Sequence, residues 1–79
     1  MKVEIYSKEN CPSCNKTKSI LKDHNPIILM LDKDFNRDVF FEKFPEAKSF
    51  PQVMINDNHV GGYEEVNKWL AFNMPNQEF

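Results

Sequence analysis

The stretch Ile5-Tyr6-Ser7-Lys8-Glu9-Asn10-Cys11-Pro12-Ser13-Cys14 runs from a predicted strand into a predicted helix and contains both cysteines of the 79-residue chain. A disulfide that closes so short a loop would stabilise the fold by only about 2 kcal/mol in the chain-entropy model. A pair that serves stability would usually join distant segments. The spacing of Cys11 and Cys14 therefore favours electron exchange or metal binding.

Composition narrows the classes of function. The net charge is -2 and no basic block is present, so we expect no nucleic-acid partner. The longest apolar run, Ile27 to Leu31, is too short to cross a membrane, and the first residues lack the apolar core of a signal peptide. We therefore expect a cytoplasmic protein, in a compartment where a CxxC pair is seldom structural. The length suits one domain, residues 1–79, which we expect to be a monomer.

Hydrophobic patterning predicts the element order β-α-β-α-β-β-α, an α/β fold. The first two strands should pair in parallel through a right-handed crossover, and the last two should form an antiparallel hairpin. The apolar run 27–31 predicts a strand buried on both faces. The second helix offers three phenylalanines for packing. The predicted strands are 3–6, 27–31, 52–55 and one that begins at His59. The predicted helices run from Pro12 to about Asp23, from Arg37 to Phe44, and from Tyr63 to a stop at Met74-Pro75. The three phenylalanines of the second helix are Phe40, Phe41 and Phe44.

The predicted helix start assigns different roles to the two cysteines. The first turn of a helix presents unsatisfied N–H groups and a partial positive charge, which stabilise a thiolate. Cys11 lies there, with Lys8 three residues upstream, whereas Cys14 lies one turn further in. We expect Cys11 to attack and Cys14 to resolve. A zinc site needs four ligands, and only His24 and His59 could add nitrogen donors, so we favour the redox interpretation.

Two further motifs could approach a ligand through their backbones. In Ser49-Phe50-Pro51-Gln52 the proline begins a strand, and the residues alone leave its peptide bond cis or trans. A cis bond would turn the Phe50 backbone outward, free to pair with an extended peptide. Gly61-Gly62 permits close approach and leads into a helix start at Tyr63-Glu64, which suits a carboxylate. The plain alternative for that motif is a bulge before a helix.

Together these three segments resemble glutaredoxins, small proteins that use glutathione. The resemblance extends over nearly the whole chain. It implies a thioredoxin-like fold with a four-stranded mixed sheet flanked by three helices, and a cis bond before Pro51. It also implies a glutathione site, whose residues we take to be Lys8, Ser13, Arg37, Phe50, Pro51, Gly62, Tyr63 and Glu64.

Within that implied site, Lys8 and Arg37 take carboxylates, the Phe50 backbone pairs with the cysteinyl part of glutathione, and Tyr63 and Glu64 hold the γ-glutamyl end. The chain departs from the family pattern at three of these positions. Ser13 stands where tyrosine is common, Phe50 where valine is usual, and Glu64 where a shorter Asp or Ser occurs. Glu64 could hold the γ-glutamyl ammonium group but would repel the neighbouring carboxylate.

The function implied is a glutathione-dependent thiol–disulfide oxidoreductase that reduces protein disulfides and glutathionylated proteins. Ribonucleotide reductase is a client that the resemblance suggests, and no metal is expected. Two alternatives stay open at this point. One is a redoxin that takes electrons from a flavoprotein thioredoxin reductase, although the aromatic and basic C-terminal stretch of such proteins is missing. The other is a carrier whose Cys11 and glutathione hold a [2Fe–2S] cluster, which the small Ser13 would accommodate.

Overall fold

The computed structural model describes residues 1–73 and has the predicted element order. This is a thioredoxin-like fold, as expected. The predicted stop at Met74-Pro75 lies outside the described residues. The strands are β1 (Val3–Ser7), β2 (Ile27–Met30), β3 (Gln52–Ile55) and β4 (Asn58–Gly61), and the helices are α1 (Pro12–Leu21), α2 (Arg37–Lys43) and α3 (Tyr63–Asn73).

The four strands form one mixed sheet in the order β2-β1-β3-β4. β1 pairs in parallel with β2 and antiparallel with β3, so that Ile5 lies opposite Ile28 on one side and Val53 on the other. β3 and β4 form the antiparallel hairpin that the turn residues predict, with an irregularity between Val53 and Met54. The predicted parallel pair and hairpin are confirmed.

Strand alternation divides the core between the two faces of the sheet. On one face Ile5 and Val53 pack with Leu21 of α1 and Val66 of α3, all of them fully buried. On the other face an aromatic cluster packs Tyr6 against α2. Its buried members are Tyr6, Phe35, Phe40 and Phe44, with Leu29, Met54 and Phe50 beside them. Phe50 packs against this aromatic cluster at the end of the sheet where β1 leads to the cysteines.

The prediction that the strand at 27–31 is buried on both faces is wrong. β2 is an edge strand that pairs only with β1, and Ile27 and Ile28 are 49% and 40% exposed. A continuous apolar run is typical of a central parallel strand, but the position of a strand in the sheet follows from the crossover that precedes it.

Two helices also differ in detail from their predictions. α1 ends at Leu21, and residues 22–24 form a 3₁₀ turn that stops at Asn25 in the left-handed conformation. Phe40 in α2 and Phe44, which caps the end of that helix, are buried as expected, but Phe41 is 44% exposed. Adjacent helical positions point about 100° apart, so Phe41 falls outside the stripe that faces the sheet.

Candidate active site

Cys11 is the N-cap residue of α1. Its backbone is extended (φ -128°, ψ 96°), and Pro12 occupies the first helical position, where its missing N–H costs nothing. The Cys11 sulfur accepts a hydrogen bond from the Cys14 N–H at 3.2 Å. The sulfur therefore lies against the positive end of the helix, in the position that a capping oxygen normally takes.

Cys11 and Cys14 are joined as a disulfide, with 5.2 Å between their Cα atoms, within the usual range for such a bond. The two residues differ in access. Cys14 lies on the inward face of α1 with Thr17 and is completely buried, whereas Cys11 retains 7% exposure. A reactant arriving from solvent therefore meets the Cys11 sulfur first.

The Phe50-Pro51 peptide bond is cis, as the resemblance predicts. The Phe50 carbonyl oxygen lies 3.9 Å from the Cys11 sulfur. The Phe50 ring stacks on Phe40, with 4.4 Å between ring centroids, and the Lys8 ammonium lies 5.7 Å from the Phe50 centroid. The ring is thus held by the aromatic cluster while the Phe50 backbone lies beside the Cys11 sulfur.

A cavity of about 320 Å³ opens on one side of Phe50. Six of the predicted site residues line it, together with two that were not predicted. The lining residues are Ser13, Phe50, Pro51, Gly62, Tyr63 and Glu64, joined by Ser49 and Glu65. We call this the acidic cavity, because the charged groups that line it in the described part of the chain are Glu64 and Glu65.

Two backbone segments, 49–51 and 62–65, form facing walls of the acidic cavity and approach each other at Gly62. A Cβ atom placed on Gly62 would lie 3.3 Å from the Pro51 carbonyl oxygen. The Gly62 N–H donates to the Glu65 carboxylate at 2.9 Å, which is one half of a capping box at the start of α3. Since that N–H is already occupied, a ligand carboxylate at this helix start would need other donors.

A second cavity, of about 270 Å³, opens on the other side of Phe50 and contains the remaining two predicted residues, Lys8 and Arg37. Its other lining residues are Phe40, Phe41, Lys48, Ser49 and Phe50. We call this the cationic cavity, because the three charged groups that the structure describes in its lining are all positive. Since Ser49 and Phe50 line both cavities, the two adjoin and form one groove with acids at one end and cations at the other.

Sequence reasoning missed Lys48, Ser49 and Glu65 as lining residues. Lys48 and Ser49 directly precede Phe50-Pro51, so their position beside the motif was the available signal. Glu65 is the third residue of its helix, and an acid there after a cap is a recognised pattern. Within residues 1–73 no cluster of three His, Cys, Asp or Glu side chains could hold a metal ion, and no helix is long and apolar enough to cross a membrane.

A family model described as Glutaredoxin matches residues 3–60. The chain belongs to the glutaredoxin family. Glutaredoxins are thiol–disulfide oxidoreductases, and the Cys11–Cys14 disulfide fits that role. The family assignment agrees with the resemblance found in the three sequence motifs.

Individual glutaredoxins support this assignment. The chain is 32% identical over 66 residues to glutaredoxin 3 of Escherichia coli K12, covering 81% of this chain and 80% of the relative. It is 36% identical over 69 residues to glutaredoxin-1 of Rhizophagus irregularis, covering 81% and 68%. It matches glutaredoxin-C4 of Arabidopsis thaliana at 29% identity over 82% of this chain, which is about half (52%) of that longer relative.

Solved structures agree on the fold. Glutaredoxin 1 of Francisella tularensis, solved with cacodylate, superposes with a TM-score of 0.74 at 27% identity, covering 96% of this chain and 98% of its own. A buckwheat glutaredoxin, solved as a complex with glutathione, superposes with a TM-score of 0.74 at 20% identity, covering 90% and 69%. At that identity the buckwheat protein supports the fold only.

Proposed function

We propose that this glutaredoxin is a glutathione-dependent oxidoreductase that reduces protein disulfides and glutathione mixed disulfides. The observation that carries the proposal is the position of the Cys11 sulfur, at the cap of α1 and 3.9 Å from the Phe50 carbonyl, beside a groove of segregated charge. Cys11 is the nucleophile and Cys14 is the resolving thiol.

The geometry of α1 supports these two roles. In the reduced protein the Cys11 sulfur would receive the Cys14 N–H and the field of the helix, both of which favour the thiolate. Cys14 is completely buried, which favours the neutral thiol. The two thiols therefore differ in ionisation as well as in access.

The charge pattern of the groove supports glutathione as the second reactant. Glutathione carries an ammonium and a carboxylate at its γ-glutamyl end and a single carboxylate at its glycyl end. The glycyl carboxylate suits Lys8 and Arg37 in the cationic cavity, and the ammonium suits Glu64 in the acidic cavity. The cysteinyl part then lies beside the Phe50 backbone, next to Cys11.

The remaining predicted residues shape the acidic cavity. Ser13 is exposed and small, so it leaves room near the cysteines where a tyrosine would fill space. Pro51 and Gly62 form the close approach of the two walls. Tyr63 lines the cavity, with the Lys16 ammonium 5.8 Å from its ring centroid.

With a glutathionylated protein the exchange needs only one cysteine. The Cys11 thiolate attacks the glutathione sulfur, a Cys11–glutathione disulfide forms, and the client sulfur leaves as a thiolate that takes a proton from solvent. A second glutathione thiolate attacks the glutathione sulfur of that disulfide. Oxidised glutathione leaves, and the Cys11 thiolate is restored.

With a protein disulfide both cysteines take part. Cys11 attacks one client sulfur, and the other client sulfur leaves as a thiol after protonation. Cys14, once deprotonated, attacks the Cys11 sulfur, so the client is released with both sulfurs reduced and the Cys11–Cys14 disulfide forms. Two glutathione molecules then reduce that disulfide and become oxidised glutathione.

A glutathione-coupled assay on three variants tests the assignment. We expect Cys11→Ser to be inactive on every substrate, because the nucleophile is gone. Cys14→Ser should keep its activity on small glutathione mixed disulfides and lose most of it on protein disulfides. Ser19→Ala, at an exposed position of the same helix, is the control and should behave as wild type. The reverse behaviour of the two cysteine variants would overturn the roles, and activity only with a flavoprotein reductase would overturn the dependence on glutathione.

The proposal extends to the setting of the reaction. We place this glutaredoxin in the cytoplasm as a monomer, with ribonucleotide reductase among its clients, on the basis of family resemblance. Reduction of an oxidised ribonucleotide reductase by the glutathione-coupled system would support this client. Failure with that client, alongside activity on other protein disulfides, would remove it.

A further inference from the structure

Gln52 carries a buried amide that no step of the exchange uses. It is the first residue of β3, directly after Pro51, and is 7% exposed. Its side-chain nitrogen donates to the Ser49 carbonyl at 3.0 Å, and its side-chain oxygen lies 2.7 Å from Nε2 of His59. Since the amide oxygen can only accept, Nε2 of His59 must be the donor, and each end of the amide has a partner.

The two partners of Gln52 connect to the two walls of the acidic cavity. Ser49 begins the first wall, and His59 lies in β4, three residues before the second wall begins at Gly62. The Gln52 amide therefore links the first wall to the strand that leads into the second, and Gln52 lines a separate cavity of about 310 Å³ with Ser49, His59 and Gly62 among others. The His59 ring is itself held against Phe44, with 4.6 Å between ring centroids.

This arrangement complements the close approach at the front of the walls. There a Cβ on Gly62 would lie 3.3 Å from the Pro51 carbonyl oxygen, so the walls are already near contact. The contact at Gly62 limits how closely the walls can approach, and the hydrogen bonds of Gln52 limit how far they can separate. Together they set the width of the acidic cavity.

We propose that Gln52 is a positioning residue, which acts through Ser49 and His59 to hold the substrate-facing walls at the separation that glutathione requires. The proposal rests on the proposed function, because it assigns the acidic cavity to glutathione. Without the amide, the segment 49–51 would have to be ordered when the substrate binds, and that ordering weakens binding. The chemistry at Cys11 would be untouched.

The central test is kinetic and uses a glutathionylated peptide as substrate. Gln52→Met keeps the length of the side chain and removes both hydrogen bonds, so we expect KM to rise about 5–10-fold with kcat changed less than about 2-fold. His59→Phe keeps the ring against Phe44 and removes one hydrogen bond, for an expected rise of about 2–3-fold. The pH midpoint of Cys11 alkylation should stay at its wild-type value in both.

A double-mutant cycle separates a connected network from two independent contacts. If His59 acts only through Gln52, adding His59→Phe to Gln52→Met changes nothing further, and the double variant should match Gln52→Met. Ile55→Val serves as a control that loses core packing. Ile55 lies in the same strand as Gln52 but takes no part in the hydrogen bonds that join Ser49, Gln52 and His59. This control variant should leave KM unchanged.

A second readout does not depend on activity. Amide hydrogen exchange at Phe50 and Gly62 should speed up about 5–10-fold in Gln52→Met and stay unchanged in Ile55→Val. Three results would each overturn the role of Gln52. They are unchanged hydrogen exchange at Phe50 and Gly62 in Gln52→Met, effects on KM that multiply in the double variant, and a rise in KM for Ile55→Val equal to that of Gln52→Met. A wild-type protein that does not react with glutathione would instead overturn the proposed function, and the exchange rates would still decide whether Gln52 holds the walls.

Discussion

Replacing the three cations of the cationic cavity together should weaken binding of the glycyl end of glutathione. The change is Lys8→Gln, Arg37→Gln and Lys48→Gln in one protein. Lys8 is half-buried, whereas Arg37 and Lys48 are exposed, so water screens all three. Among residues 1–73 no carboxylate lines this cavity, so no acid in that part of the chain competes with the substrate for these charges.

The exposure of the three side chains sets the size of the effect. An exposed charge pair contributes about 0.5 kcal/mol, so three cations acting on one carboxylate should contribute about 1.5 kcal/mol. That corresponds to a fall in kcat/KM of about 10-fold, mostly as a rise in KM. Added salt should shrink the difference between wild type and variant, because the screening length is only about 8 Å at physiological ionic strength.

The assay compares two mixed disulfides of the same peptide, one with glutathione and one with glutathione amide, in which a neutral carboxamide replaces the glycyl carboxylate. The triple variant should lose about 10-fold on the first and less than about 2-fold on the second, since the second has no glycyl carboxylate for the cavity to bind. A control triple, Lys22→Gln, Lys33→Gln and Lys68→Gln, makes the same change in net charge outside both cavities. Equal losses on both substrates, or a loss no greater than in the control, would refute the assignment of the cationic cavity.

Three further predictions concern stability and ionisation. Gly61→Ala should lower the free energy of unfolding, measured by urea denaturation, by about 2 kcal/mol or more, because φ of Gly61 is +127° and the new Cβ would lie 2.8 Å from Cγ of Glu65. Gly62→Ala is the control and should lower the free energy of unfolding less, because Gly62 does not have this backbone conformation. Equal losses in the two variants would contradict the argument from backbone strain. Burial raises the pKa of Tyr6 above the ordinary tyrosine value of 10.0. The stability that neutral Tyr6 contributes to the fold is therefore fully present below pH 10.0, and it is lost as the pH rises through the pKa of Tyr6 in the folded protein. In Tyr63→Phe, where Tyr6 is the remaining tyrosine, tyrosinate absorbance should therefore titrate at higher pH in the folded than in the urea-unfolded protein, and coincident curves would contradict the burial argument. In Cys14→Ser, the rate of Cys11 alkylation should have a pH midpoint below the ordinary thiol pKa of about 8.5. The same protein unfolded in urea is the reference, and equal midpoints in the folded and unfolded states would contradict thiolate stabilisation by α1.

Local patterns along the chain were enough to predict the elements and the place of the cysteine pair at the start of α1. Cys11 followed by Pro12 places a sulfur at a helix cap, because proline suits the first helical turn and an N-cap side chain faces the free N–H groups. The order of strands and helices, the parallel first pair and the closing hairpin follow from periodicity and from turn residues. These features depend on neighbours in sequence, so the sequence by itself determined them.

The sheet position of β2 and the composition of the groove were decided by the tertiary structure. Ile27 and Ile28 are exposed because β2 lies at the edge, which depends on how the crossover packs and not on the strand's own residues. Lys48 joins Lys8 and Arg37 only because α2 and the segment after it pack beside Phe50. The bridge from Ser49 through Gln52 to His59 likewise forms only once β3 and β4 pair. Contacts between residues far apart in the chain depend on how whole elements pack, and short-range sequence patterns carry no record of that packing.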